Sequence, residues 1–498
     1  MSSLPAPGIL SYLEALLDMD QILPGCYKAY RQAVRDTLIF FLTSLSRERQ
    51  ASLFHEQMAM PGNAGTFERF VALLSRCPTL HKLGQIMARN RDLDPDLRLR
   101  LQALESLHPS TTLQELLPVI QKELKGRGDI VLEEKPLAEA SVAVVVPFSE
   151  NGKEGVLKVL KPGILSSLTE ELEIWSHVGS YLEERCENYR IPPIDYKETL
   201  QSLQGILERE VQLEIEQDHM RQMAEFYAGA PGIIIPSVYE WSTPSMTAMG
   251  RVRGGSVAAL KDPVKGIRTA ALVIEEVLAR PFWSSRETVL FHGDPHGGNM
   301  LLTDEGRVAL LDWSLVIPMG KGLRSQLMEI LLNAFMAHRH RICRNLCALS
   351  RRPPDRARLK EVVEESLSRV RKGAFPGFDW MIALFDQAML RAGLSLHDDM
   401  VLFRKALLTL INLVCDISQE ASADIIMTAS GLSHLFSELP ERVLDPAGTE
   451  TYRSHLRNVD MIEALSTLPL SAGRMWLGSL KESLKAPQGE REESEDEG

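Results

Sequence analysis

The run from Val289 to Gly320, VLFHGDPHGGNMLLTDEGRVALLDWSLVIPMG, decides how this chain is read. Its blocks VLF, NMLL and VALL have the length and apolar character of short buried strands. A sharp polar loop separates the first two, and the turn Asp304-Glu305-Gly306 separates the last two. Asp294, Asn299 and Asp312 are the polar fixed points of the run. Asn299 follows Asp294 by five positions, and Asp312 follows Asn299 by thirteen. A lone His-Gly-Asp would suit a hairpin on a solvated edge. Three polar residues at fixed intervals, each flanked by strand-forming residues, point instead to a built site.

Those intervals are similar to the ones between a kinase catalytic loop and the metal-binding aspartate that follows it. In-line phosphoryl transfer needs one carboxylate to orient the attacking oxygen, here Asp294. It needs an amide and a second carboxylate, Asn299 and Asp312, to hold the Mg2+ that bridges the nucleotide phosphates. Magnesium takes hard oxygen ligands, and two side chains completed by phosphates and waters suit it. ATP and Mg2+ are therefore the expected cofactors. His292 reads as the loop-packing counterpart of the kinase His-Arg-Asp histidine, with His296 as a supporting neighbour.

The rest of the composition narrows the class. With 498 residues the chain is long enough for several domains, and a hydrophobic content of 44% is sufficient for large cores. The formal charge of −12 argues against nucleic acid as a partner, since that requires a basic face. Part of this charge sits in the tail Glu490–Glu497, which reads as a disordered, solubilising end. The six cysteines, Cys26, Cys77, Cys186, Cys343, Cys347 and Cys415, are scattered and read as ordinary thiols of a reducing cytosol rather than zinc ligands. The N-terminus lacks the basic start of a signal peptide. The most apolar short run, TLIFFLTSL at 37–45, is far too short to span a bilayer. The expected location is cytoplasmic, with peripheral membrane contact left open.

A second distinctive stretch is CPTLHKLGQIMARNRDLDP, residues 77–95. Lys82, Gly84 and Gln85 open an amphipathic helix, and Arg89, Arg91 and Asp92 follow. This resembles the KxGQ signature of the UbiB/AarF family of atypical protein-kinase-like proteins, with RDLDP similar to the Arg-x-Asp stretch that follows it there. The resemblance covers about residues 75–420 and implies an α+β, two-lobed protein-kinase-like fold with a helical N-terminal extension. It places a helical extension at 1–74, the KxGQ-like segment at 75–128, and a small lobe with a helical insertion at 129–255. A helical large lobe with the catalytic loop follows at 256–480, and an acidic tail at 481–498.

Strand patterns in DIVLEE, SVAVVVPF and EGVLKVL resemble the first three strands of a kinase small lobe. The resemblance puts Lys158 in the position of the phosphate-anchoring lysine, while Lys161 reads as a strand-edge residue. A protein kinase would carry glycines between the first two strands, so that backbone N–H groups approach the phosphates closely. Here the loop is PLAEAS, similar to the alanine-rich loop of the family, with Ala138, Ala140 and Ser141 implied at the nucleotide. Glu139 departs from that pattern and brings a carboxylate towards the expected phosphates. In the helical stretch ETLQSLQGILEREVQLEIEQDHM, the family's Glu-x-Asp motif is matched by Glu210, but its aspartate is replaced by Gln212. The resemblance implies contact of Glu210 with the KxGQ segment at Lys82, giving Lys82, Gln85 and Glu210 a regulatory role, and pairing of Glu216 with Lys158. PSVYEWSTPSMTAMGRVRGGSV reads as two further strands and the hinge that takes the adenine.

Three functions are carried forward. The family resemblance implies an atypical kinase or ATPase linked to lipid or isoprenoid-quinone metabolism, with a lipid or quinone-precursor ligand. His-Gly-Asp and Asp-Trp, in place of the His-Ala-Asp and Asp-Phe-Gly common in that family, are similar to aminoglycoside and choline phosphotransferases. A third reading is a nucleotide-gated module without phosphate transfer. Trp313 and Ser314 imply that the flipping switch of regulated protein kinases does not operate in its usual form.

Overall fold

The computed structural model describes residues 16–88, 93–102, 111–192, 196–446, 449 and 452–462. Arg89, Arg91 and Asp92 of the second motif, and the acidic tail, lie outside the described residues. The chain forms two compact units. One comprises Met1–Ala224 with Pro236–Arg251, the other Glu225–Ile235 with Val252–Gly498.

After a short helical turn at Met19–Ile22 and a 3₁₀ segment at Gly25–Tyr30, the first unit carries helices α1 (Arg31–Ser44), α2 (Arg47–Ala59), α3 (Thr66–Ser75), α4 (Pro78–Ala88) and α5 (Pro95–Leu101). Their apolar faces meet around Phe41, Leu42, Phe70, Leu73 and Leu80. Helix α6 (Leu113–Leu124) starts at a capping box in which Thr112 and Glu115 satisfy each other's backbone N–H groups. It buries Leu116 and Ile120 against a sheet built from β1 (Ile130–Leu132), β2 (Ala138–Glu139), β3 (Ala143–Glu150), β4 (Lys153–Leu160) and β6 (Met246–Gly250), with order β1-β3-β4-β6 and β2 also on β3.

The β3–β4 hairpin turns at Asn151-Gly152, both at positive φ, as the right-handed twist of a tight hairpin demands. Alternation then sorts the side chains. Val144, Val146, Phe148, Leu157 and Val159 enter the core beneath α6. The registered row Val145–Lys158–Thr247 belongs to the opposite face. Sequence patterning placed the main strands but read Ala138–Glu139 as loop, whereas it is a short strand registered with Val144 and Val145.

Three helices complete this unit: α7 (Ile164–Tyr189), α8 (Tyr196–Glu210) and α9 (Leu213–Phe226). The last two read as one stretch in sequence. The helix in fact breaks at Val211–Gln212, and the Gln212 carbonyl accepts the first N–H groups of α9, from Ile215 at 3.1 Å and Glu216 at 3.3 Å. Of the two strands expected at 236–257, only β6 forms fully; the segment before it touches β6 through the isolated bridges Val238↔Met249 and Thr243↔Met246.

In the second unit, β5 (Ile233–Ile234), β7 (Gly255–Ser256), β9 (Met300–Leu302) and β10 (Val308–Leu310) form a sheet of order β5-β10-β9-β7. Strands β8 (Thr288–His292) and β11 (Val316–Gly320) pair antiparallel. The helices are α10 (Pro263–Val273), α11 (Lys321–Phe335), α12 (Arg339–Leu349), α13 (Arg356–Arg371), α14 (Phe378–Ala392), α15 (Asp398–Ile417) and α16 (Ala423–Arg442). Arg324 of α11 is fully buried. Its guanidinium donates to the carbonyls of Pro281, Phe282 and Ser284, which close the short helix before β8, and burial lowers its pKa to about 10. Among the described residues no helix is long and apolar enough to cross a membrane.

The sheet makes a sharp packing test. A Cβ on Gly155 would collide with the Phe148 ring, whereas one on Gly128 meets nothing within 4 Å. Gly155→Ala should lower the melting temperature by several degrees, as overpacking costs about 1–3 kcal/mol, and Gly128→Ala should leave it unchanged. Differential scanning calorimetry of the two variants distinguishes them.

Candidate active site

In the first unit the site is built around Lys158. Its Nζ donates to both Glu216 oxygens, at 2.7 and 2.8 Å, with Lys158 8% and Glu216 1% exposed. Glu216 sits in the first turn of α9, just after the break at Gln212. Its neighbour Gln217 anchors the same turn to β6, donating through Nε2 to the Thr243 carbonyl at 2.9 Å and Thr247 Oγ1 at 3.0 Å. Gln217 escaped the sequence reading; its spacing gave no signal, because its partners are set by the sheet register.

The last residue of α8, Glu210, has a different set of partners. It forms an ion pair with Lys82 of α4 and accepts from Ser141 Oγ at 2.9 Å. The motif helix is thus tied to the alanine-type loop through one carboxylate. Gln85 lies within hydrogen-bond distance of His81 on the same helix, Nε2 to Nε2 at 3.3 Å. Ala138 and Ala140 are exposed, and the Ala140 N–H closes the loop onto the Ala143 carbonyl at 2.8 Å. Glu139 is engaged by Lys161 Nζ at 2.7 Å and by the Thr111 backbone and hydroxyl at 3.0 and 3.1 Å. Lys161 is therefore more than an edge residue: it balances the carboxylate that the loop acquired. Gln212 is exposed at the helix break.

A second anchor of α4 was also missed. Glu171 of α7 is fully buried, accepts from Thr79 N and Oγ1 at 2.9 and 2.6 Å, and pairs with Arg49. Burial pushes its carboxyl above the usual range, against the pull of Arg49 and Thr79. Trp175 Nε1 donates to the same Thr79 hydroxyl at 2.7 Å.

In the second unit, β8 ends at His292 and delivers Gly293-Asp294. A side chain on Gly293 would collide with the Leu315 carbonyl at 2.9 Å, and its N–H donates to that same oxygen at 2.8 Å. His292 is buried. Its Nδ1 accepts from the Asp294 N–H at 3.2 Å, and its Nε2 lies 3.1 Å from the Leu311 carbonyl. An accepting Nδ1 and a donating Nε2 define a neutral tautomer, and burial lowers the pKa, as that neutral form requires. The Trp313 ring, fully buried, packs on the imidazole at 4.8 Å between centroids.

Asn299 and Asp312 lie at one end of the β9–β10 pair. Met300 is registered with Leu310, and the Leu311 N–H donates to the Asn299 carbonyl at 2.8 Å. The Asn299 amide donates through Nδ2 to the Asp294 carbonyl at 3.1 Å, which commits its nitrogen and makes Oδ1 the ligand-type end. Asp312 has φ +38°, rare for a residue with a side chain, and its Oδ1 accepts from Ser314 N and Oγ at 3.1 and 2.6 Å. Ser314, in the place of a glycine, thus fixes the carboxylate. Among the described residues no three His, Cys, Asp or Glu side chains gather into a self-sufficient metal site. One amide oxygen and one carboxylate match magnesium that arrives with a phosphate ligand.

Residues 103–346 match the family model of the ABC1 atypical kinase-like domain. That half of the chain is thus similar to ABC1 atypical kinase-like domains, and the curated relatives it matches are UbiB proteins. The chain is 28% identical over 241 residues to a probable protein kinase UbiB of Azotobacter vinelandii, covering 47% of this chain and 44% of that one. It is 25% identical over 360 residues to a probable protein kinase UbiB of Marinobacter nauticus, covering 68% of this chain and 64% of that one. The matches thus span about half to two-thirds of these relatives. A solved structure, the Rv3197–erythromycin complex from Mycobacterium tuberculosis, is similar with a TM-score of 0.46 at 18% identity, over 75% of this chain and 95% of that one. The fold mixes helix and sheet, and its matched half is kinase-like, as the motifs implied.

Two outcomes test the geometry. Lys158→Met leaves the Glu216 carboxylate buried without its cation; the melting temperature should fall by an amount corresponding to about 3–5 kcal/mol, and Lys158→Met/Glu216→Met should recover most of it. For His292, a folded pKa below the unfolded value of about 6.5 means the unfolded chain binds more protons as the pH falls. Its contribution to stability is complete above that pH and is lost progressively below it. The His292 ring resonances should titrate below pH 6.5 in NMR, and titration at or above 6.5 contradicts the neutral, buried assignment.

Proposed function

We propose that this protein is of the UbiB/AarF type, binds Mg–ATP and hydrolyses it or transfers its γ-phosphate to an acceptor from lipid or isoprenoid-quinone metabolism. The observation that carries this reading is the buried, two-oxygen grip of Glu216 on Lys158. It holds an ammonium at the strand position where kinases neutralise nucleotide phosphates. The kinase-like domain match and the name of the relatives support the same reaction class.

The roles follow from the chemistry of each group. Lys158 neutralises phosphate oxygens as a point charge, with Glu216 fixing its position. Ala138, Ala140 and Ser141 line the phosphates, Ser141 being held through Glu210. Asn299 and Asp312 would hold Mg2+, which when bound with the nucleotide offsets the charge on the phosphate oxygens. Asp294 orients the acceptor hydroxyl or water and takes its proton. Neutral His292 holds the Asp294 backbone in place without competing for that proton. Lys82, tied to the loop through Glu210, and Gln85 on the same helix regulate access to the phosphates.

Asp312→Asn should abolish magnesium-dependent nucleotide turnover, measured as phosphate release; an unchanged rate refutes its assignment. Asp294→Asn should slow turnover by about 10²–10⁴ while leaving nucleotide affinity within a few-fold. Stimulation of turnover by lipid vesicles or phenols supports the lipid or quinone link. Modification of an aminoglycoside supports a small-molecule phosphotransferase instead.

A further inference from the structure

Helix α16 packs inward with one face and turns a second, apolar face outward. On the inner face Met427, Glu438 and Arg442 are buried, Ser430 Oγ donates to Glu275 at 3.2 Å, and Gly431 lies against the Trp283 ring. The outer face carries Ile425, Leu432, Phe436 and Leu439, and Val443, which caps the helix, continues it. At 3.6 residues per turn these five side chains fall within an arc of about 60° and form a stripe about 27 Å long. Ile425 is 69%, Phe436 65% and Val443 82% exposed, on the side where a surface helix ordinarily places charge. A continuous row of large apolar side chains over five turns marks a docking surface, unlike apolar residues scattered singly.

The course of the chain and the charges say what docks there. Arg442 donates to Ser454 Oγ at 2.6 Å, to the Leu456 carbonyl at 3.0 Å and to Asn458 Oδ1 at 3.0 Å, and the Asn458 amide donates back to the Arg442 carbonyl at 2.9 Å. The described chain therefore reaches its last residues, with Val459 and Ile462 exposed, at the C-terminal end of this helix. Residues 463–485 come next, EALSTLPLSAGRMWLGSLKESLK. Trp476, Leu477, Leu480 and Leu484 stand at intervals that share one helical face. The run from Arg474 to Lys485 holds three cations and one carboxylate, whereas Glu441 and Asp445, at the end of the stripe, are exposed acids. A second copy of the stripe offers those acids no cation, because Arg442, the sole Lys or Arg of α16, is buried on Glu438. The reach is sufficient: the twelve residues 463–474 extend to about 40 Å, and a helix over 475–485 covers about 16 Å. We propose that residues 475–485 pack as an amphipathic helix along the outer face of α16, with Trp476, Leu477, Leu480 and Leu484 against Leu432, Phe436 and Leu439. The contact clasps α16 from outside while its inner face holds Trp283, just ahead of β8. It stands without the nucleotide reading, and its test uses no nucleotide.

The test is photo-cross-linking of the full chain with p-benzoylphenylalanine in place of Phe436. An equal mixture of unlabelled and heavy-isotope-labelled protein is irradiated, and peptide mass spectrometry locates the adducts. The expected result is a dominant adduct to a residue of 475–485, with both peptides from one isotopic form and so from one chain. Leu477→Asp/Leu480→Asp should reduce that adduct at least fivefold. Circular dichroism melts confirm that each variant is folded; should the probe at 436 prevent folding, Leu432, also on the exposed stripe, takes it instead. Adducts of mixed isotopic form mean that a second copy covers the stripe, and adducts to added phosphatidylglycerol vesicles in place of the tail mean that a membrane does. Either result, no adduct within 475–485, or an adduct that withstands the double substitution overturns the proposal.

Discussion

Two residues of non-helical backbone, Val211 and Gln212, set the geometry of the first unit. They part α8 from α9 and leave a carboxylate on each side of the break. Glu210 goes to Lys82 and Ser141, and Glu216 goes to Lys158. Had the helix run on unbroken, residues six apart would project about 600° around the axis, which puts them on different faces one and two-thirds turns apart. The break frees the second carboxylate to be aimed by its own anchor, Gln217. Buried ion pairs of this kind add little net stability, because desolvation offsets the Coulomb attraction. Their use here is positional: each lysine has one place to be.

The second unit solves a related problem with backbone rather than charge. Asp312 occupies left-handed space, and the cost of that conformation is offset by Ser314, which supplies two donors to one carboxylate oxygen. Trp313 is driven inward by the same turn and closes over His292. The imidazole then bonds backbone on both sides, at Asp294 and Leu311, and so joins the two segments that carry the acids. Substituting Trp-Ser for Phe-Gly fits a rigid site: a fully buried indole and a hydroxyl bonded to its neighbour leave the segment little freedom to rearrange.

Much of this was legible in the sequence, for reasons that can be named. Strands β1, β3, β4, β8, β9 and β10 came from apolar blocks bounded by turn residues, and the Asn151-Gly152 and Asp304-Glu305-Gly306 turns sit where their chemistry puts them; the two-residue strands β2, β5 and β7 have too little pattern to read. The pairs Lys158–Glu216 and Lys82–Glu210 came from family resemblance, since nothing in local spacing links residues 58 or 128 positions apart. What stayed hidden depends on register and burial. Gln217, Thr79, Glu171 and Arg324 look like ordinary polar helix residues until the elements packed on them are known. The departure at Glu139 read as a threat to phosphate binding; the structure gives it Lys161 and Thr111 as partners, which are remote enough in pattern that only the fold reveals them.

The central claim is that the amine of Lys158 meets the phosphates of a nucleotide, and covalent capture tests it most directly. An adenosine acyl-phosphate acylates an amine lying against its phosphates, and peptide mass spectrometry then reports which lysine was modified. The account predicts one dominant adduct, on Lys158, suppressed by excess Mg–ATP and not by excess AMP. Labelling spread over surface lysines, or an adduct at Lys158 that Mg–ATP fails to suppress, contradicts it.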